Sequence, residues 1–432
     1  MKSIELAGME RTQKKSASIN FTPDDVRMRG FKKRSTVEAA ITWLSQQAVD
    51  LSGKAIPLQQ AAGRILKQDV TSKYNIPGFI RSMMDGYAII SSDAQGASSY
   101  NQLQLRVIGK SMPGIGTKVQ VTSGAAVRIM TGAPLPEGAD AVLPAENVEV
   151  DESNIMVMES VAQGRNIGRI GEDISSGVTL LKKGRRLRPQ DIGLLASIGE
   201  KNVTVFSQPR ISIVVTGNEI LPVGEFPQGF QIVNSNGPML EALCVRDGGV
   251  VISSCIVPDN PEQIRQAMHD DYEILLITGG TSVGEEDLAP LLLAESGHLA
   301  IHGVAMRPSR STGMGIIGKK LVFLLPGNPV ACLSAYDFFA GRFIRNLTGH
   351  GKDWPYISEF KKLKQKLVSM IGRTDYARVK LVDDYVEPVA ISGAAILSST
   401  TQADGFVIIP ADSEGYAPET KVEVFFYDRY HY

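Results

Sequence analysis

Cysteine is scarce in this chain. Its 432 residues include only Cys244, Cys255 and Cys332, an odd number with no C-x-x-C spacing. That argues against a disulfide framework and a zinc site, and favours the three thiols as small buried hydrophobes. The five histidines, His269, His298, His302, His350 and His431, show no metal-ligand spacing. No Ser–His or Cys–His arrangement supports nucleophilic acyl chemistry. Charge of one sign is also missing: the formal net charge is -1, so no global field recruits nucleic acid or an anionic membrane. The aromatic residues do not interleave with a basic stripe, which argues further against nucleic acid. No apolar run is long enough to span a bilayer. The residues from Met1 to about Arg34 are mixed polar and lack the apolar stretch of a signal peptide. A cytoplasmic protein is the expectation, with neither nucleic acid nor membrane as partner.

Large cores are present instead, with 43% hydrophobic and 21% charged residues. By length the chain holds two to four domains at roughly 100–200 residues each. A helix is expected from Ser35, with Glu38 completing a capping box and Val37, Ala40, Ile41, Leu44 and Ala48 on one apolar face. From about Leu58 to Gly164 short apolar runs (103–108, 127–130, 141–143) alternate with Gly, Pro and Asn turns, which reads as β-rich. Pro189 and Gly199 bracket a short helix.

Between about Arg210 and Gly349 the rhythm changes. Strands are expected at 211–215, 250–257, 273–278 and 321–325, alternating with helices near Pro238, Asn260 and Asp287 and over 330–339. The strands are apolar on both faces, the signature of a parallel sheet covered by helices on both sides. Alternating runs at 377–382 and 422–427 suggest a small C-terminal β domain.

In open α/β sheets, ligands sit beyond the C-terminal strand ends. Three such ends carry unusual loops: VVTGNEI (214–220), ITGGTSVGEEDL (277–288) and LLPGNPVA (324–331). Gly279 and Gly280 allow backbone N–H groups close to a ligand. Thr281 and Ser282 add hydroxyls, and the following helix start favours an anion. Pro326, Gly327, Asn328 and Pro329 form a rigid turn of similar design. Glycine and proline also merely punctuate turns, but three such loops on one rim are harder to dismiss. The carboxylates Glu219, Asp259 and Asp287 are of the kind that binds Mg²⁺ together with substrate phosphates. Glu285 and Glu286 fit helix capping better. Arg307, Ser309 and Arg310, inside VAMRPSRSTGMGI, suit a phosphate or a compact oxyanion, although a solvated basic loop has the same composition. Glycine-dense polar loops also occur around Asp85, around Thr131, and over 164–174, where Asp173 lies.

These segments, PGFIRSMMDGYA, TGAPLPEGADAV, GRNIGRIGEDI, TGNEI, TGGTSVGEEDL and LPGNPVA, follow one another as in the molybdopterin molybdenumtransferases. The chain resembles that MoeA family, which includes the C-terminal domain of gephyrin, over roughly residues 31 to 432. The resemblance implies a multidomain α/β fold in an elongated homodimer. A polar extension (1–32) precedes a discontinuous helical linking subdomain (33–57 with 171–208). A β-rich subdomain (58–170), a doubly wound, parallel α/β molybdopterin-binding subdomain (209–352) and a C-terminal β subdomain (353–432) complete the chain. It implies insertion of molybdate into adenylylated molybdopterin with Mg²⁺ and release of AMP, fed by a molybdopterin adenylyltransferase. Carried over by motif, Asp85, Thr131, Asp173, Glu219, Asp259 and Asp287 are candidate catalytic residues, the last three also metal ligands. Gly279, Gly280, Thr281 and Ser282 match the pterin-phosphate loop, and Pro326–Pro329 the rigid loop. Arg307, Ser309 and Arg310 are candidates for the oxyanion.

Three departures stand out. Asn218 and Asn234 occupy positions where Asp is frequent, and Pro308-Ser309-Arg310-Ser311 replaces Pro-Gly-Lys-Pro. The last leaves tungstate as an alternative cargo. A non-catalytic, gephyrin-like scaffold and an adenylyltransferase are the competing readings. The carboxylate set argues against the first, and the flanking β-rich domains against the second.

Overall fold

The computed structural model describes residues 34–49, 51–282, 287–351, 353–390 and 393–430. The polar extension, Glu285 and Glu286 lie outside these. The chain divides into two compact units, Gly53–Phe206 and the remainder, Met1–Ser52 with Ser207–Tyr432.

Helix α1 (Val37–Ser45) is capped by Thr36, whose side chain accepts from the Ala39 N–H, and not by Ser35. Ser35 is occupied elsewhere: its backbone pairs with Gly303 and Ala305. The apolar face of α1 enters the core of the second-named unit through Val37, Ala40 and Leu44. The boundary between the units, at Ser52, falls inside the 33–57 part of the expected linking subdomain. From Gly53 the chain pairs with Asn202–Phe206.

In the Gly53–Phe206 unit a six-stranded sheet forms from β1 (Gly86–Ile89), β2 (Leu103–Ser111), β3 (Ala125–Ile129), β4 (Ala141–Pro144), β5 (Val148–Asp151) and β6 (Asn154–Val157). Their order is β4-β1-β3-β2-β6-β5, with only the β2–β3 pair parallel. A separate core gathers Leu58, Leu66, Leu187 and Val205 with α2 (Pro189–Ser197).

The larger unit is built on β7 (Arg210–Thr216), α3 (Asn236–Arg246), β8 (Val250–Val257), α4 (Pro261–Ala267), β9 (Ile274–Thr278), α5 (Ala289–Ser296), β10 (His298–His302), β11 (Gly313–Ile317) and β12 (Lys320–Leu325). The order is β8-β7-β9-β12-β11-β10. Alternation along β9 sends Ile274 and Leu276 to one core and Leu275 and Ile277 to the other. Helices α4 and α5 cover the second face; α1 and α3 cover the first. Both faces are therefore buried, as a doubly wound sheet requires.

The sheet is not wholly parallel. Strands β7, β8, β9 and β12 are parallel, but β11 runs antiparallel to both β12 and β10. The composition of β11 conceals it: a Cβ on Gly315 would lie 2.3 Å from the His298 carbonyl oxygen, so glycine takes the place of an apolar residue. The helix expected over 330–339 is longer. It runs as α6 (Pro329–Ala335), a π turn (Tyr336–Ala340) and α7 (Gly341–Leu347).

Strands β13 (Tyr356–Leu363), β14 (Thr374–Val382), β15 (Tyr385–Ala390), β16 (Gly405–Ile409) and β17 (Lys421–Tyr430) pair in the order β14-β15-β13-β17-β16. A further β14–β16 pairing closes a barrel. Closure leaves no open edge. The barrel's outer aromatics, Tyr376, Phe406 and Phe425, pack against Trp354 and Phe338 in the α/β core.

Candidate functional site

Strands β7, β9 and β12 end side by side, and their loops meet at Gly279. Its φ is +92°, and a Cβ there would fall 2.2 Å from the carbonyl oxygen of Thr216, the last residue of β7. On its other side, Gly327 packs 3.4 Å (ideal Cβ to Cα) from Gly279. No side chain fits at Gly279, whereas a Cβ on Gly327 would be in ordinary contact with it.

Hydroxyl and amide groups stitch the rim together. Thr281 Oγ1 donates to the Leu325 carbonyl at 3.0 Å. Thr278 Oγ1 donates to the Pro326 carbonyl at 3.0 Å. Asn236 Nδ2 donates to Thr278 Oγ1 at 2.9 Å and to the Gly327 carbonyl at 2.8 Å. Asn236, Thr278 and Thr281 are buried, whereas Gly327 and Asn328 are exposed. Sequence reasoning assigned the Thr281 hydroxyl to a ligand; here its proton is committed to the protein. Asn236 and Thr278 were missed, because their value lies in bonds across 91 and 48 residues of chain.

Beside the rim, Asn218 and Asp259 bond reciprocally: each backbone N–H donates to the other's side-chain oxygen at 3.2 Å. Either Asn or Asp at 218 accepts such a bond, and Asn avoids a second negative charge next to Asp259. Asn234 Oδ1 accepts from the Gly237 N–H at 2.9 Å at the start of α3, again a bond that Asp also makes. These two departures keep their local geometry. The Glu219 carboxylate folds back over Gly217, with Oε2 2.8 Å from where a Cβ would stand.

His302, at the end of β10, lies 3.3 Å from the Thr281 carbonyl through Nε2. Burial holds its imidazole below the usual histidine range, against the opposing pull of the Thr281 and Ser282 backbone and of Asp287. Glu219, Asp259 and Asp287 all belong to this unit. Among the described residues no three His, Cys, Asp or Glu side chains form a metal-holding group, so these carboxylates do not make a protein-only cage.

The oxyanion candidates separate. Met306–Arg307 form a two-residue strand on β14 of the barrel, and Arg310 is exposed. Ser309 is buried at φ +39°. Its hydroxyl donates to the Ala331 carbonyl at 2.6 Å and also bonds the Ser334 hydroxyl. Contrary to expectation, that hydroxyl is turned into α6 and is not presented as a ligand donor.

The other unit holds its own pair. Asp85 precedes β1 and Thr131 follows β3. Asp85 Oδ1 accepts from both the Thr131 N–H and the Thr131 hydroxyl, each at 2.7 Å. Those two bonds, backbone first, hold the exposed Asp85 carboxyl below its usual range. Gly86 follows because a Cβ there would sit 2.0 Å from the Leu143 carbonyl oxygen. Asp173 is exposed, with its backbone N–H on the Ile76 carbonyl. Its neighbour Glu172 is tied to Arg81 at 2.9 Å and to the Arg169 N–H at 2.8 Å.

Comparison with known proteins places this arrangement. Residues 35–199 match the family model for the MoeA N-terminal region (domain I and II). Residues 212–346 match a probable molybdopterin binding domain, and residues 361–427 the MoeA C-terminal region (domain IV). A putative molybdopterin biosynthesis protein of Methanocaldococcus jannaschii is 34% identical over 86% of this chain and 92% of its own length. A molybdopterin molybdenumtransferase of Staphylococcus aureus is 30% identical over 90% of this chain and 94% of its own. The crystal structure of a molybdopterin biosynthesis MoeA protein from Pyrococcus horikoshii aligns with a TM-score of 0.80 at 31% identity, covering 91% of this chain and 99% of that one. With its three regions matched in order and its relatives aligned nearly end to end, this chain belongs to the MoeA family.

Proposed function

We propose that this protein is a molybdopterin molybdenumtransferase, inserting molybdate into adenylylated molybdopterin with release of AMP. The observation that carries the reading is the rim at Gly279, where three strand-end backbones meet without side chains and leave Gly327 and Asn328 exposed. Backbone at such a rim approaches a phosphate closely. In the reaction a water oxygen bonds to phosphorus as the phosphoanhydride P–O bond breaks, so AMP leaves with its phosphate and the other phosphate stays on the pterin. The two dithiolene sulfurs bond to molybdenum, and their two protons leave with one molybdate oxygen as water. The sulfurs arrive with the substrate, so no protein nucleophile is required. The rim orients the phosphates, and developing negative charge is met by fixed donors.

Asp259 and Glu219 are oxygen donors beside the rim. They fit Mg²⁺ in the manner that combines one or two carboxylates with substrate phosphates. Asp287 completes that set. Bound there, the ion would neutralise charge on the phosphates. Arg307 and Arg310 remain the cationic candidates for the oxyanion, and the lost glycine of their loop keeps tungstate as an alternative cargo. We assign the chain to a cytoplasmic homodimer supplied by a molybdopterin adenylyltransferase. No helix among the described residues is long and apolar enough to cross a membrane.

The test is AMP release from adenylylated molybdopterin by the purified protein with Mg²⁺, with and without molybdate or tungstate. Release that depends on the oxyanion supports the reading. Tight binding without release moves the protein to the scaffold class. Asp287→Asn should abolish release while light scattering still shows a dimer; full retained activity removes Asp287 from the mechanism.

A further inference from the structure

Three consecutive carbonyls of the turn after β12, those of Leu325, Pro326 and Gly327, are each taken by a side-chain donor from inside the protein: Thr281, Thr278 and Asn236 respectively. A carbonyl only accepts, so the Asn236 atom facing Gly327 is Nδ2. Both of its hydrogens are used, one on Gly327 and one on Thr278 Oγ1. The Thr278 hydroxyl accepts that hydrogen and donates its own to Pro326. The Cys332 sulfur, 3.6 Å from Thr278 Oγ1, is the longer and weaker of the two acceptors open to that hydroxyl.

A trans peptide points its N–H opposite to its C=O, and neither Pro326–Gly327 nor Gly327–Asn328 is among the cis bonds of the described residues. Holding the Pro326 carbonyl inward turns the Gly327 N–H outward. Holding the Gly327 carbonyl inward does the same for Asn328. The Leu325 carbonyl is held too, but Pro326 carries no N–H to turn. Gly327 and Asn328 are exposed, while Asn236 is 6% and Thr278 0% exposed. Two successive N–H groups turned outward at a turn can meet one anion together.

We propose that Asn236 and Thr278 are positioning residues: they set the peptide planes that aim the Gly327 and Asn328 N–H groups at an anionic phosphate oxygen of the ligand. A cost accompanies this arrangement. Asn236 Oδ1 is buried with no hydrogen-bond partner among the described residues, which is unfavourable. An amide with one idle end suits a position where its two donors are what matters. The identity of the ligand rests on the proposed function; the mechanism of the turn does not.

The test uses the full-length protein and inorganic pyrophosphate as probe, followed by the amide resonances of Gly327 and Asn328. Pyrophosphate should shift both in the wild type. Thr278→Val, nearly isosteric, should weaken pyrophosphate binding about tenfold, the scale of one hydrogen bond, and Thr278→Ser should restore it. Asn236→Ser, too short to reach Gly327, should weaken it at least as much and decides the matter if Thr278→Val does not fold. Wild-type amides that ignore pyrophosphate, or folded Thr278→Val and Asn236→Ser proteins that bind it as the wild type does, overturn the proposal. Wild-type protein that binds pyrophosphate through these amides yet releases no AMP refutes the proposed reaction and leaves the positioning role standing.

Discussion

The two units prepare their polar sites by opposite means. At the β7–β9–β12 rim, neutral hydroxyl and amide groups are buried and commit their protons to backbone carbonyls. In the Gly53–Phe206 unit, the Asp85 carboxylate is exposed and is fastened by a single threonine. A buried neutral network fixes backbone, so backbone is the surface it offers to a ligand. An exposed carboxylate offers its own side chain, and its neighbours tune its charge. Substitutions should therefore damage fold and function together at the rim, but function alone around Asp85.

The largest effect is expected at Gly279. Alanine there meets both a φ of +92° and the Thr216 carbonyl at 2.2 Å. Strain of this kind costs on the order of 1–3 kcal/mol before any clash is relieved. Gly279→Ala should lower AMP release by about 100-fold or more, since a barrier change of ~1.4 kcal/mol is tenfold, and should lower the melting temperature as well. Full activity with unchanged melting would show that the three strand ends do not need to meet there.

At Asp85 the damage should be confined to activity. Thr131→Val removes the hydroxyl donor and keeps the backbone one. The Asp85 carboxyl, now held down by one bond fewer, should titrate at higher pH. A lowered carboxyl pKa keeps the group charged further into acid, so losing part of that lowering moves the acid limb of the activity profile towards neutrality. The melting temperature should stay within a few degrees, as for most surface changes of about 0.5 kcal/mol or less. An unmoved acid limb would remove the carboxylate from the reaction.

The contrast also explains what the sequence makes legible. Gly279, Gly327 and Pro326 are readable because chain punctuation at a strand end has few causes. Asp85 and Thr131 stand out as polar residues in glycine-dense loops. Strands β10 and β11 do not stand out, because glycines in GMGII serve close strand approach and erase the apolar run. Thr36 displaced Ser35 as the cap because a long-range pairing with Gly303 and Ala305 outranked local preference. Ser309 looked like a ligand donor by composition; only the packing of its loop on α6 reveals where its hydroxyl points. Asn236 is the harder lesson, since nothing near it in sequence announces its bond to Gly327.

A smaller effect tests charge inside the Gly53–Phe206 unit away from its site. Burial pushes the Asp191 carboxyl up, but the paired bonds from Arg185 and the Arg188 N–H outweigh it and bring the pKa down to about 2. A group with a lowered folded pKa adds stability that is present above its unfolded value. That stability is lost as pH falls through the folded value. The window here runs from the ordinary carboxylate range down to about 2. Asp191→Asn should cost this unit about 1–2 kcal/mol at neutral pH and flatten its stability profile in that window. An unchanged acid profile would mean that the arginines find no less favourable partner when the charge is gone.

The smallest effect belongs to the cysteines. Burial pushes the Cys244 and Cys332 thiols up to about 12, and Cys255, half-buried, is raised in the same direction by burial and by Asp270. The thiolate is the reactive form, so folded protein at neutral pH should resist maleimide at Cys244 and Cys332. Cys332 adds a point of contact with the rim, because Thr278 Oγ1 lies 3.6 Å from its sulfur. Cys332→Ala should therefore perturb the rim slightly through packing, while Cys255→Ala should leave AMP release unchanged. Rapid labelling of Cys332 in the native state would mean that the rim opens, and that the buried network beneath Gly327 is less fixed than its hydrogen bonds require.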